Sequence, residues 1–116
     1  MKGRVTKKKI GDKAMDISSM QKYAKKFSEE KGFDVNTIQT RTLYLMTEVG
    51  ELAKEILSIS FYPTEEKVRL AKENIGLEMY DIFYNILDLA NQLDIELEEA
   101  CHKKMEINKN RIWCER

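Results

Sequence analysis

A single proline and five glycines among 116 residues are too few to punctuate a fold built from many tight turns. Strand-like alternation flanked by turn residues is also missing, and no segment repeats, so the chain reads as long helices joined by short connections. Only two cysteines are present, Cys101 and Cys114. They stand on one expected helix about 20 Å apart at the helical rise, too far for a mutual disulfide, and both are expected as reduced thiols. No apolar run approaches the ~20 residues that span a bilayer, and the N-terminus lacks the apolar stretch of a secretory signal. The expected location is the cytoplasm, with no membrane partner. Net charge is absent as well: 20 lysines and arginines balance 20 aspartates and glutamates, so no whole-chain field points to nucleic acid. The lone histidine, His102, has no visible catalytic partner and reads as a surface or helix-end residue.

The charge that is present is unevenly spread. Lys2, Arg4, Lys7, Lys8, Lys9 and Lys13 are opposed only by Asp12. Residues 1–15 therefore read as a basic, flexible tail, and 16–116 as one helical domain whose remaining charge is mildly acidic. The first helix is expected from Asp16 to Lys31, with Ile17, Met20, Ala24 and Phe27 at helical spacing and Gly32 as its stop. A second, from Thr37 to Ser60, carries Leu45, Val49, Leu52, Ile56 and Ile59 in a sharp apolar stripe, as a core-facing helix should. Phe61, Tyr62 and Pro63 break the pattern, and Thr64 is placed to cap a third helix from Glu65 to Gln92 with a bend near Gly76. Asp94 is the expected N-cap of a fourth, ending near Trp113.

The third helix is apolar or aromatic on nearly every side from Ile75 onward, through Leu77, Met79, Tyr80, Ile82, Phe83, Tyr84, Ile86, Leu87 and Leu89. A small unit cannot cover all of that surface alone. The expected architecture is an all-α, four-helix bundle-like unit that oligomerises through this helix, as a homodimer or homotetramer.

Acidic residues flank these stripes at a meaningful spacing. Glu48 and Glu51 lie three apart on the second helix, with Glu55 one turn on; Glu78 and Asp81 repeat the spacing on the third, and Asn85 continues that seam. Packed side by side, the two helices bring four carboxylates to a core boundary, where like charges repel and desolvation is costly. A multivalent cation relieves both problems, and an oxygen-only donor set suits Mg2+, or Mn2+ in its place, rather than zinc. Glu55 fits equally as a further ligand, a group behind the ligands, or the partner of a lysine. On the fourth helix Lys104, Asn108 and Arg111 share one side. They suit a triphosphate, Arg111 by its fork, Lys104 as a point charge and Asn108 by hydrogen bonding, or else they pair with acidic side chains.

Thr47-Glu48-Val49-Gly50-Glu51, then Glu78-Met79-Tyr80-Asp81, then Lys104 to Arg111 with Asn108 between, resemble in order the motifs of the MazG-type all-α nucleoside triphosphate pyrophosphohydrolases. The likeness covers Leu45 to Trp113, with Thr47 where the fuller motif has a first glutamate. It implies a four-helix unit that dimerises or tetramerises, magnesium on Glu48, Glu51, Glu78 and Asp81, and cleavage of a (deoxy)nucleoside triphosphate substrate to monophosphate and pyrophosphate. It also implies phosphate or sugar contacts from Lys104, Asn108 and Arg111; Asn85, by its place on the polar seam of the third helix, is a further expected substrate contact. Glu48 or Glu51 is the expected proton acceptor for the attacking water. Two other readings stand beside this one: a phosphoribosyl-nucleotide pyrophosphohydrolase on the same scaffold, and a non-catalytic helical interaction module whose acids only pair with lysines.

Overall fold

The structure, a computed structural model, describes residues 9–10, 13–61 and 63–112, with side chains from Met15 onward. The expectations that rest on Tyr62, Trp113, Cys114 and most of the basic tail lie outside these residues. Within the tail, β1 (Lys9–Ile10) pairs antiparallel with β2 (Lys13–Ala14), Lys9 opposite Ala14. Everything beyond is helical: α1 (Ile17–Lys31), a 3-10 turn (Phe33–Val35), α2 (Ile38–Ser58), α3 (Glu65–Gln92) and α4 (Leu97–Lys109). The all-α class is as expected.

α1, α2 and α3 each start where a short polar side chain can satisfy an orphan backbone N–H. The Asp16 carboxylate accepts from the Ser19 N–H at 2.7 Å, and Thr37 and Thr64 cap α2 and α3 in the same way at 3.1 Å. Gly32 ends α1 at φ 77°, a left-handed conformation that glycine adopts without penalty. Gly76 does not interrupt α3, which is one continuous helix from Glu65 to Gln92. Two boundaries differ from the sequence reading. Asp94 does not cap α4; it sits at φ 55° just past the end of α3. There the Ile95 N–H reaches back to the Ala90 carbonyl at 2.8 Å and the Asp94 N–H to Asn91 at 3.3 Å, the paired bonds of a Schellman turn. Finally, α4 stops at Lys109, short of Trp113, since Asn110 turns its side-chain amide onto the Glu106 carbonyl at 3.1 Å and competes with the helical backbone.

α3 is the central element, with α2 along one side and α1 on another, and α4 lies against α1. The junction of α1 with the α3–α4 turn is polar. The Gln21 amide donates to the Ile95 carbonyl at 2.6 Å and accepts from the Leu97 N–H at 3.0 Å, while Asn91 donates to the Gln21 carbonyl at 3.0 Å. Glu98 accepts from the Ser18 N–H at 2.8 Å, placing an α4 carboxylate at the positive end of α1.

The apolar core is thin. Ala24, Ala71, Leu87 and Ala90 are the buried apolar residues among those described, and Leu87 alone is both large and fully enclosed. On α2 the one buried side chain is Arg41. Val49 and Ile56 of its apolar stripe stay exposed, and Leu43 and Leu77 are 67% and 68% exposed. The radius of gyration, 17.5 Å, exceeds the about 13 Å of a close-packed chain of this length. The single chain is thus an open arrangement of helices. No helix among the described residues is long and apolar enough to cross a membrane.

Candidate cation site between α2 and α3

Arg41 meets Asn85 and Asp88 at one level, and Glu48 meets Glu78 and Asp81 at another. Rising numbers on α2 therefore match falling numbers on α3, and the two helices run antiparallel with a polar seam between them.

At the upper level one carboxylate oxygen from each of Glu48, Glu78 and Asp81 lies within 4.8 Å of the others. Glu48 and Glu78 are half-buried and Asp81 is exposed, so the cluster opens to solvent on one side. The Glu78 Oε1 is buried without a hydrogen-bond partner. Burial, above all, pushes the Glu48 carboxyl above its ordinary range; a hydrogen bond to Glu78 and the negative fields of Asp81, Glu78 and Glu51 add to it. Three carboxylates from two helices converge, a Glu78 oxygen is buried without a partner, and the Glu48 carboxyl is raised by its burial and its acidic neighbours. The donor set fits a hard divalent ion of magnesium's type.

The other sequence-selected residues take different places. Glu51 is exposed and outside the three-residue group, although its field reaches Glu48. Glu55 is half-buried one turn further along α2. Asn85 is buried, and both ends of its amide are engaged within the protein: Nδ2 donates to the Asp81 carbonyl at 2.8 Å and Oδ1 accepts from Arg41 Nη1 at 2.9 Å. Lys104 and Asn108 stand on α4, the helix packed on α1, and Arg111 lies just past its end. Lys104 and Arg111 are exposed, and Asn108 is half-buried with its Oδ1 enclosed and unpartnered. His102 is exposed and Cys101 is a half-buried free thiol.

Apart from Asn85, the lower level was not singled out from the sequence. Arg41 Nε forms an ion pair with Asp88 Oδ2 at 2.8 Å, and the two residues are 5% and 3% exposed. Gln92 also donates to Asp88 Oδ2, at 3.2 Å. The rings of Tyr44 and Tyr84 lie 5.5 and 5.6 Å from the guanidinium carbon, within cation–π reach. Burial chiefly raises the Tyr84 phenol above its ordinary range. A signal did exist: Arg41 falls four residues before Leu45 on the α2 stripe, and Asp88 falls seven after Asp81 on α3. Opposite charges on the inward faces of two packed helices mark a buried pair.

A surface depression of about 470 Å³ at the start of α3, lined by Pro63, Thr64, Val68, Arg69 and Lys72, shares no residue with the acidic cluster. Its Arg69 is engaged by Glu66 at 2.6 Å and Glu73 at 3.6 Å, so the converging carboxylates are the better guide to chemistry. No protein-family model and no curated protein matches the chain.

Proposed function

We propose that this protein is a magnesium-dependent nucleoside triphosphate pyrophosphohydrolase of the MazG type, acting on (deoxy)nucleoside triphosphates. The observation that carries the reading is the convergence of Glu48, Glu78 and Asp81 from two helices onto one point, 4.8 Å across, at a half-buried seam open to solvent. Glu51, exposed one turn along α2 and near enough for its charge to act on Glu48, is the proposed fourth ligand. Magnesium bound there supplies positive charge for the substrate's phosphates and acidifies a water. The protein's own part is to hold the carboxylates fixed and to take the proton. Glu48 or Glu51 suits that role, because a carboxylate beside the metal can accept the proton while the metal would hold the water. In-line attack of the water at the α phosphorus breaks its bond to the α–β bridging oxygen, so that pyrophosphate leaves and monophosphate remains, with Lys104, Asn108 and Arg111 meeting the phosphates or sugar.

The same reading includes self-association. The large apolar residues left exposed on α2 and α3, Leu43, Met46, Leu57, Leu70, Leu77 and Met79 among them, together with the open shape of the single chain, call for a homodimer or homotetramer.

The test is incubation with each common nucleoside and deoxynucleoside triphosphate, with and without magnesium, and separation of products by anion exchange. Monophosphate with pyrophosphate, formed only with metal, is the expected result. Diphosphate with orthophosphate, or turnover indifferent to metal, overturns it. A phosphoribosyl nucleotide in the same panel separates the related pyrophosphohydrolase reaction, and absence of turnover together with no stabilisation by magnesium favours a non-catalytic module.

A further inference from the structure

α2 presents few steric stops to α3. Its stripe leaves no apolar side chain fully buried, and its one buried side chain is Arg41. Apolar contacts of that kind tolerate sliding, because they have no direction. The contacts of Arg41 are specific. Nη1 donates to Asn85 Oδ1 at 2.9 Å, Asn85 in turn donates to the Asp81 carbonyl at 2.8 Å, and Nε lies 2.8 Å from Asp88 Oδ2 as an ion pair without hydrogen-bond geometry. Arg41 is also two turns from Glu48 along α2, and Asp88 is two turns from Asp81 along α3, about 10 Å in each case at the helical rise. The two levels are thus linked by the same pair of helices over the same length.

We infer that Arg41 is a positioning residue for the cation site: clamped to Asp88 and Asn85, it fixes how far α2 has slid along α3, and so where Glu48 stands relative to Glu78 and Asp81. This rests on the reading of those three acids as cation ligands. The clamp is poorly arranged for stability alone, since Arg41 Nε and Nη2 are both buried without a hydrogen-bond acceptor. A buried ion pair seldom stabilises a fold more than well-packed apolar residues of similar volume. What it supplies is register. The planar fork that contacts two acceptors at once cannot be reproduced by lysine, whose ammonium is a single point charge.

The experiment uses the full chain and Mn2+ alone, with binding read by electron paramagnetic resonance and thermal midpoints read without metal. In the double variant Arg41→Met/Asp88→Leu the pair is replaced by apolar side chains of similar size. Its midpoint should equal or exceed that of the unmodified protein, while its Mn2+ dissociation constant rises at least about tenfold, the loss seen when groups that orient metal ligands are removed. Arg41→Lys, measured well below its midpoint with helix content unchanged by circular dichroism, should show the same loss and covers the case in which the double variant does not fold. Mn2+ binding of undiminished strength in either folded variant overturns the inference and leaves the cation site standing. A loss that only tracks a lowered midpoint reduces Arg41 to a stabilising residue and also overturns it. Failure of the unmodified protein to bind Mn2+ removes the cation site itself, and the role of Arg41 with it.

Discussion

Glu48 couples the stability of the metal-free protein to pH. Its carboxyl is raised above the ordinary range in the fold, first by burial, then by Glu78 and its acidic neighbours. The stabilisation that comes with protonation is complete below the unfolded value and is lost as pH rises through the higher folded one. Without metal, Glu48→Gln should therefore raise the thermal midpoint at pH 7, and the gain should vanish as the pH approaches 4. Melting curves across that range, with chelator present, check the sign. Asp81 tests the other property of the cluster. Asp81→Asn should keep the helical circular dichroism signal but lower turnover by about 100-fold or more, the upper range for residues that merely support metal ligands. It should also lose stabilisation by magnesium, which for an intact site at 100 times its dissociation constant is about 2.7 kcal/mol. Turnover near the unmodified rate would remove Asp81 from the ligand set. At this scale the acids were legible because three-residue spacing beside an apolar stripe is a one-dimensional signal. The engagement of Asn85 with Arg41 was not, since it depends on how far two helices slide.

Helix limits are set by local chemistry, and that is why most could be read from the chain. Asp16, Thr37 and Thr64 cap as their positions suggest, and Gly32 stops α1. Asp94 was an exception because aspartate serves two kinds of helix end. It is a good N-cap, and it is also among the few residues other than glycine that tolerate the left-handed region. The Schellman bonds at the end of α3 decide between them, placing Asp94 at φ 55° and starting α4 at Leu97. Asp94→Gly should accordingly be neutral to stabilising, by up to about 1 kcal/mol, as relief of the left-handed strain offsets the added freedom of the unfolded chain. Urea denaturation measures it. Destabilisation beyond about 1 kcal/mol would show that the Asp94 side chain contributes more than the turn it occupies.

The whole chain has the secondary structure of a folded domain and the exposed apolar surface of an unfinished one. Sequence periodicity could show that α3 has more apolar faces than a small unit can cover, but which faces remain open depends on the packing of α1 and α2 against it. If copies of the chain cover those faces, sedimentation should show a dimer or tetramer. Leu43→Asp, at a position 67% exposed on α2, should then shift the distribution towards monomer and lower the midpoint. An unmodified protein that sediments as a monomer at every concentration would contradict this. The polar junction at Gln21 has a kinetic consequence. α2 and α3 are neighbours in the chain and can meet early through local contacts, whereas Ser18 meets Glu98 across a separation of 80 residues. Closing so long a loop is entropically the slow step. The acidic hairpin should therefore form before α4 docks on α1, and amide exchange at Ser18 and Leu97 should be faster than along the middle of α3. The helix bearing Lys104 and Asn108 would then be the last to arrive in folding and the first to leave.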